Sequence, residues 1–142
     1  AMLAQKIGFP VTVFDQREDW ANVERFPNME IKHGATEEIA ESFDTNQDDF
    51  IVVMTHCHDD DYKILTRVIR KPFHYLGVIG SKHKSIEIRK ELKSDGFTPA
   101  EIERITCPIG LKIGSHTPDE IAISVAAQLI KKLKEWEKEQ RN

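Results

Sequence analysis

Four short stretches concentrate the side chains that could do chemistry. The densest is Thr55-His56-Cys57-His58-Asp59-Asp60-Asp61. A thiol between two imidazoles suits nucleophilic or proton-transfer work, and a helix N-terminus after it would favour the thiolate of Cys57. His-x-His with nearby carboxylates is also a transition-metal pattern, which makes His56, Cys57 and His58 candidate ligands for zinc or iron. In an extended chain, however, the two imidazoles point one way and the thiol the other. The competing reading is local: the acidic run caps a helix and the imidazoles bond to neighbouring backbone.

The second stretch is Gly80-Ser81-Lys82-His83-Lys84-Ser85. Gly80 permits a tight turn and Ser81 is a natural N-cap. Lys82 and Lys84 then fall in a first helical turn, where the macrodipole disfavours cations by about 0.3–1 kcal/mol each. A bound anion would reverse that sign, because backbone N–H groups and ammonium groups would both face it. The stretch is therefore a candidate phosphate cradle; the alternative is a pair of solvated lysines.

The third is Asp15-Gln16-Arg17, an acidic residue at a strand end where dinucleotide-binding folds hold a ribose, followed by a guanidinium suited to phosphate. It reads equally as a turn-capping Asp beside a solvated Arg. The fourth runs from Cys107 to Pro118, where Gly110 and Gly114 allow close backbone approach and His116 stands before a helix start.

The elements that must position these residues alternate between strands and helices. Val11–Phe14, Ile51–Met54 and Tyr75–Ile79 are β-rich runs, Met29–Lys32 is a weaker one, and the alternation of Ile109, Leu111 and Ile113 predicts another. Tyr62, Leu65 and Ile69 share a helical face, with Pro72 as a stop. Lys82 to about Asp95 reads as a helix closed by Gly96. Thr98-Pro99-Ala100-Glu101 and Thr117-Pro118-Asp119-Glu120 are capping boxes with Pro at the first helical position. Ile121, Val125, Leu129 and Leu133 then form a stripe that passes into a charged tail. This order predicts one α/β domain over 1–142, a Rossmann-like three-layer sandwich on a mainly parallel sheet, with ligands outside the carboxyl ends of the strands.

Composition narrows the classes. The 142 residues fit one domain of roughly 100–200 residues, large enough to bury about two-thirds of its unfolded surface. Twenty Lys and Arg against 24 Asp and Glu give a net charge of −4, with no basic face for nucleic acid. The longest apolar run is far short of the ~20 residues of a membrane span, and no signal-peptide pattern is visible. Two cysteines, Cys57 and Cys107, fit a reduced cytoplasmic chain better than a disulfide scaffold.

Taken in order, these stretches resemble the Rossmann-like C-terminal domain of the XdhC/CoxI family, accessory proteins of xanthine dehydrogenase and related molybdenum hydroxylases. The similarity is carried by Gly8–Arg17, Glu24-Arg25-Phe26-Pro27, Val53–His58, Tyr75–Lys82 with Lys84, and Pro108–Ala122. It implies a cytoplasmic protein that binds molybdenum cofactor (molybdopterin), protects it, promotes its sulfuration and passes it to an apo-hydroxylase, and that self-associates. On that reading Asp15, Arg17, His56, Cys57, His58, Gly80, Ser81, Lys82, Lys84, Gly110, Gly114 and His116 surround the cofactor. The phosphate docks near Gly80-Ser81-Lys82 and Gly110–His116, and Cys57 or His56 lies near the metal.

The chain departs from the family pattern in two places. Cys57 stands where the family usually has Asp. The opening Ala1–Ile7 reads as the rest of a helix, without the strand and Gly-x-Gly-x-x-Gly turn that begin the family domain. The strands at Val11–Phe14 and Ile51–Met54 would then each show an open edge. They would close on one another, accept a strand from another chain, or drive oligomerisation. Two alternatives remain: a nicotinamide-dependent oxidoreductase, for which Asp15 speaks and the missing glycine turn speaks against, and a truncated domain that only self-associates.

Overall fold

The computed structural model describes all 142 residues, and their contacts gather into two units, Ala1–Ile39 with Gly110–Asn142, and Ala40–Ile109. In chain order the elements are α1 (Met2–Lys6), β1 (Thr12–Phe14), β2 (Glu30–Lys32), α2 (Thr36–Ser42), β3 (Phe50–Val53), α3 (His58–Val68), β4 (Tyr75–Val78), α4 (Lys82–Ser94), α5 (Pro99–Glu103), β5 (Ile105–Thr106) and α6 (Pro118–Arg141). The α/β class and the parallel pairing agree with the sequence. The expected sheet is divided in two, one with the order β1-β2 and one with the order β3-β4-β5.

The continuous unit holds the larger core. β3 pairs in parallel with β4, Val53 opposite Val78, and β4 pairs with β5, Leu76 opposite Ile105. Every residue of β4 is buried, as a central strand covered on both faces should be. Leu65, Val68 and Ile69 of α3 and its end, Leu76 and Val78 of β4, and Ile88 and Leu92 of α4 are at most 1% exposed and form one apolar cluster. Gly77 is required inside β4. A Cβ there would lie 2.5 Å from Ile109 Cδ1 and 2.7 Å from the Tyr75 hydroxyl.

Long cations finish this unit where helices end. The Lys71 ammonium donates to the carbonyls of Ala40, Glu41 and Phe43 at 2.8–3.1 Å, serving α2 as a C-terminal cap. Arg104 donates to the carbonyl of Ile69, and Arg89 to those of Ile102 and Ile105. α2 is not foreseen in the sequence reading, although Glu37 and Glu38 in its first turn are a helix-start signal.

In the discontinuous unit β1 pairs in parallel with β2, Val13 opposite Ile31, and α1 packs on α6. Its buried side chains are few: Ala21, Ser124, Val125 and Leu129. The Thr117 capping box is present, with both reciprocal bonds and Pro118 in the first turn.

The strand predicted from Ile109, Leu111 and Ile113 does not form, and the short β5 lies upstream of it. Gly110 and Gly114 take positive φ of 101° and 78°, which breaks an extended run. Ile109 is buried and donates its N–H to the Val78 carbonyl, whereas Ile113 is 56% exposed.

Candidate functional site

β3 and β4 are neighbours in register, and each runs directly into a helix. β3 ends at Val53 and α3 begins at His58; β4 ends at Val78 and α4 begins at Lys82. Two helix N-termini therefore rise from adjacent carboxyl ends of a parallel sheet, where α/β folds place ligands.

The β3 turn is built around Thr55. Its Oγ1 accepts the Cys57 N–H and donates to the Cys57 carbonyl at 2.7 Å. Cys57 has extended backbone and sits at the N-cap of α3 without capping through its side chain. His58 is already helical, and its Nε2 lies 3.8 Å from Glu91 of α4. The strand-like alternation expected for His56, Cys57 and His58 is thus absent. The structure gathers no group of three or more His, Cys, Asp or Glu side chains able to hold a metal ion, so the expected ligand set of His56, Cys57 and His58 is not assembled.

The β4 turn matches its sequence reading at the cap. Ser81 Oγ accepts the Lys84 N–H at 3.1 Å. The N–H groups of Lys82 and His83 belong to the open first turn, and the Lys82 side chain is exposed. Lys84 departs from the expectation. Its ammonium forms an ion pair with Asp61, whose side chain is fully buried, so this cation's counter-charge is supplied from within the protein. The other Asp61 oxygen accepts the Thr55 N–H at 2.9 Å. The Lys84 stem lies where a side chain on residue 80 would go, 2.6 Å from an ideal Cβ, which explains Gly80.

Asp61 is the residue the sequence reading passes over among three adjacent aspartates. The available signal is periodicity: Asp61, Leu65 and Val68 share the buried face of α3. A carboxylate on an apolar stripe announces a buried partner.

The end of β5 joins the same cluster. The Ser85 hydroxyl donates to the Cys107 carbonyl at 2.7 Å. Burial pushes the Cys107 thiol up from its ordinary range, against the pull of the Ser85 hydroxyl and of the Lys84 and Arg89 charges.

In the other unit, Asp15 is engaged by Arg17. The Arg17 backbone N–H and Nε both donate to Oδ1, and Nη2 donates to Oδ2, each at 2.9 Å. A closed fork of this kind leaves the carboxylate committed to its neighbour. The Gly110 N–H donates to Gln128 Oε1 at 2.7 Å, and a Cβ on Gly110 would lie 2.5 Å from Ser124 Oγ. Gly114 has open space around it, and the His116 side chain is exposed. The N–H groups of His116 and Thr117 both donate to Glu120, which holds that carboxyl below its ordinary range.

The sequence model of the XdhC Rossmann domain matches residues 1–129. The chain belongs to this family. It is 33% identical over 131 residues to a Bacillus subtilis protein named as a probable xanthine dehydrogenase subunit, covering 92% of this chain and 38% of that protein. It is 32% identical over 132 residues to the uncharacterized protein YqeB of Escherichia coli, covering 92% of this chain and 24% of that one. A crystal structure of a xanthine dehydrogenase from Bacillus halodurans superposes with a TM-score of 0.81 at 31% identity, over 94% of this chain and 38% of that one. The XdhC-type chain thus spans 24–38% of the length of these relatives. The names of two of them tie the family to xanthine dehydrogenase. No helix of the structure is long and apolar enough to cross a membrane.

Proposed function

We propose that this XdhC-type domain binds molybdenum cofactor as an accessory protein in the maturation of xanthine dehydrogenase-type molybdenum hydroxylases. The observation that carries the reading is the pair of helix N-termini standing at the adjoining ends of β3 and β4. Aligned N–H groups there favour an anion such as the cofactor's phosphate. The donor chemistry suits the rest of the group. Lys82 is an exposed cation beside the open first turn of α4, while the half-exposed Cys57 and exposed His56 offer a soft sulfur and an imidazole in the neighbouring turn. Met54, 52% exposed at the end of β3, offers an apolar contact to the flat pterin.

In this mechanism the N–H groups of Lys82 and His83 and the Lys82 ammonium would hold the phosphate. Lys84 contributes no free charge, because Asp61 takes it. Cys57 and His56 would hold the metal end of the group through sulfur and imidazole nitrogen. The bound group supplies the metal chemistry of the hydroxylase that receives it. The domain's own task is to bind, to orient and to release to the apo-enzyme. Self-association of the domain belongs to the same proposal.

Anaerobic titration of the whole protein with molybdenum cofactor tests this. Retention of cofactor is expected, with Lys82→Met weakening it about tenfold, the loss of one charge-assisted contact. Cys57→Ala should also weaken it. Failure of the wild type to retain cofactor, or wild-type affinity in both variants, would overturn the assignment.

A further inference from the structure

The Asp61–Lys84 pair links the two turns, and Asp61 lies on the buried face of α3 beside Leu65 and Val68. A buried ion pair is a weak source of stability, since well-packed apolar residues often serve as well. Its bonds point to another role. Asp61 fixes the Thr55 N–H, Thr55 Oγ1 fixes both the N–H and the carbonyl of Cys57, and the Asp61 N–H also donates to the Cys57 carbonyl at 3.1 Å. On its other oxygen Asp61 holds Lys84, whose stem fills the space beside Gly80.

We infer that Asp61 is a positioning residue that sets the Cys57 turn at the end of β3 and couples it, through Lys84, to the Gly80-Ser81 turn at the end of β4. It touches no ligand itself. A change at Asp61 is transmitted to the Cys57 thiol through Thr55. The inference deepens the cofactor reading above, on which it rests only for what the turn serves. The measurement below uses no cofactor, so its failure and the failure of that reading are distinguishable.

The test is alkylation of the whole protein by iodoacetamide across pH 6–9, read by mass spectrometry on the peptides that carry Cys57 and Cys107. The variant Asp61→Leu with Lys84→Met exchanges the ion pair for apolar groups of similar size. It should still unfold cooperatively, at a temperature lowered only by the loss of the Thr55 hydrogen bond. It should also raise the alkylation rate of Cys57 at least fivefold over the wild type and alter its pH profile. A wild-type rate and profile at Cys57 in this folded variant would overturn the inference. If that variant does not fold, Asp61→Asn with Lys84→Met keeps the shape and an acceptor for Thr55 but removes the charges. Through loss of the link to Lys84 it should raise the Cys57 rate about twofold over the wild type, and no rise there would overturn the inference equally.

Discussion

Asp61 shows how one side chain governs charge balance at the strand ends. Removing it leaves the Lys84 ammonium, only 19% exposed, without a counter-ion and orphans the Thr55 N–H. Asp61→Ala is expected to cost about 3 kcal/mol, within the range for breaking a buried pair. Denaturant unfolding checks this, and a shift in midpoint worth less than about 1 kcal/mol would show that water reaches the ammonium easily. A second residue gives a pH signature. Arg70 donates to Glu101 at 2.8 Å, and that bond, with the Thr98 backbone N–H, holds the Glu101 carboxyl at about 2 against an ordinary 4.5. The folded value lies below the unfolded one, so the stabilising contribution is present above about pH 4.5 and is lost as pH falls toward 2. In Arg70→Met the Glu101 titration followed by NMR should move up toward the ordinary value. An unmoved midpoint would assign the effect to the helix cap alone.

At the scale of elements, the helices of this chain announce themselves in local chemistry and the strands do so less evenly. Both capping boxes form as their Thr-Pro-x-Glu spelling dictates, with Thr98 and Thr117 accepting from Glu101 and Glu120. Thr98→Ala and Thr117→Ala should each cost about 1 kcal/mol, measurable as a fall in unfolding temperature. The false strand at 109–113 has another origin. The alternation of Ile109, Leu111 and Ile113 satisfies the period of a strand, but Pro108 lacks a donor and Gly110 and Gly114 need positive φ. Periodicity there is overruled by backbone chemistry that was itself visible in the sequence. Gly77 gives the matching prediction inside a true strand. Gly77→Ala should destabilise by about 1–3 kcal/mol through overpacking against Ile109 and Tyr75. Combining it with Ile109→Ala should cost less than the sum of the two changes, a coupling that a double-mutant cycle reads directly.

At the scale of the molecule, the α/β class and the parallel pairing were legible because strand and helix patterns alternate along the chain. The division into two sheets was not, since pairing depends on which edges find a neighbour and the sequence pattern carries no register for that. The candidate site was partly legible. Ser81 caps as its type suggests, and Gly80 turns where expected. The link between Lys84 and Asp61 joins residues 23 apart and required tertiary structure to see. Burial ends along α6 well before its C-terminus. Leu129 is its last buried side chain, the family match stops at that same residue, and Lys138–Asn142 is exposed. Deleting residues 138–142 should therefore change stability by less than about 0.5 kcal/mol.

One unit is continuous in sequence and the other is assembled from both ends of the chain. During synthesis the Ala40–Ile109 segment has all its partners as soon as it leaves the ribosome. Helix α1 emerges before that segment and must wait until the segment has passed for α6, its packing partner. Closing that long intervening loop is entropically costly unless the middle has already collapsed, because the penalty grows with the length of flexible chain. Nascent chains stalled before Pro118 should thus protect the middle segment from protease while residues 1–39 stay cleavable.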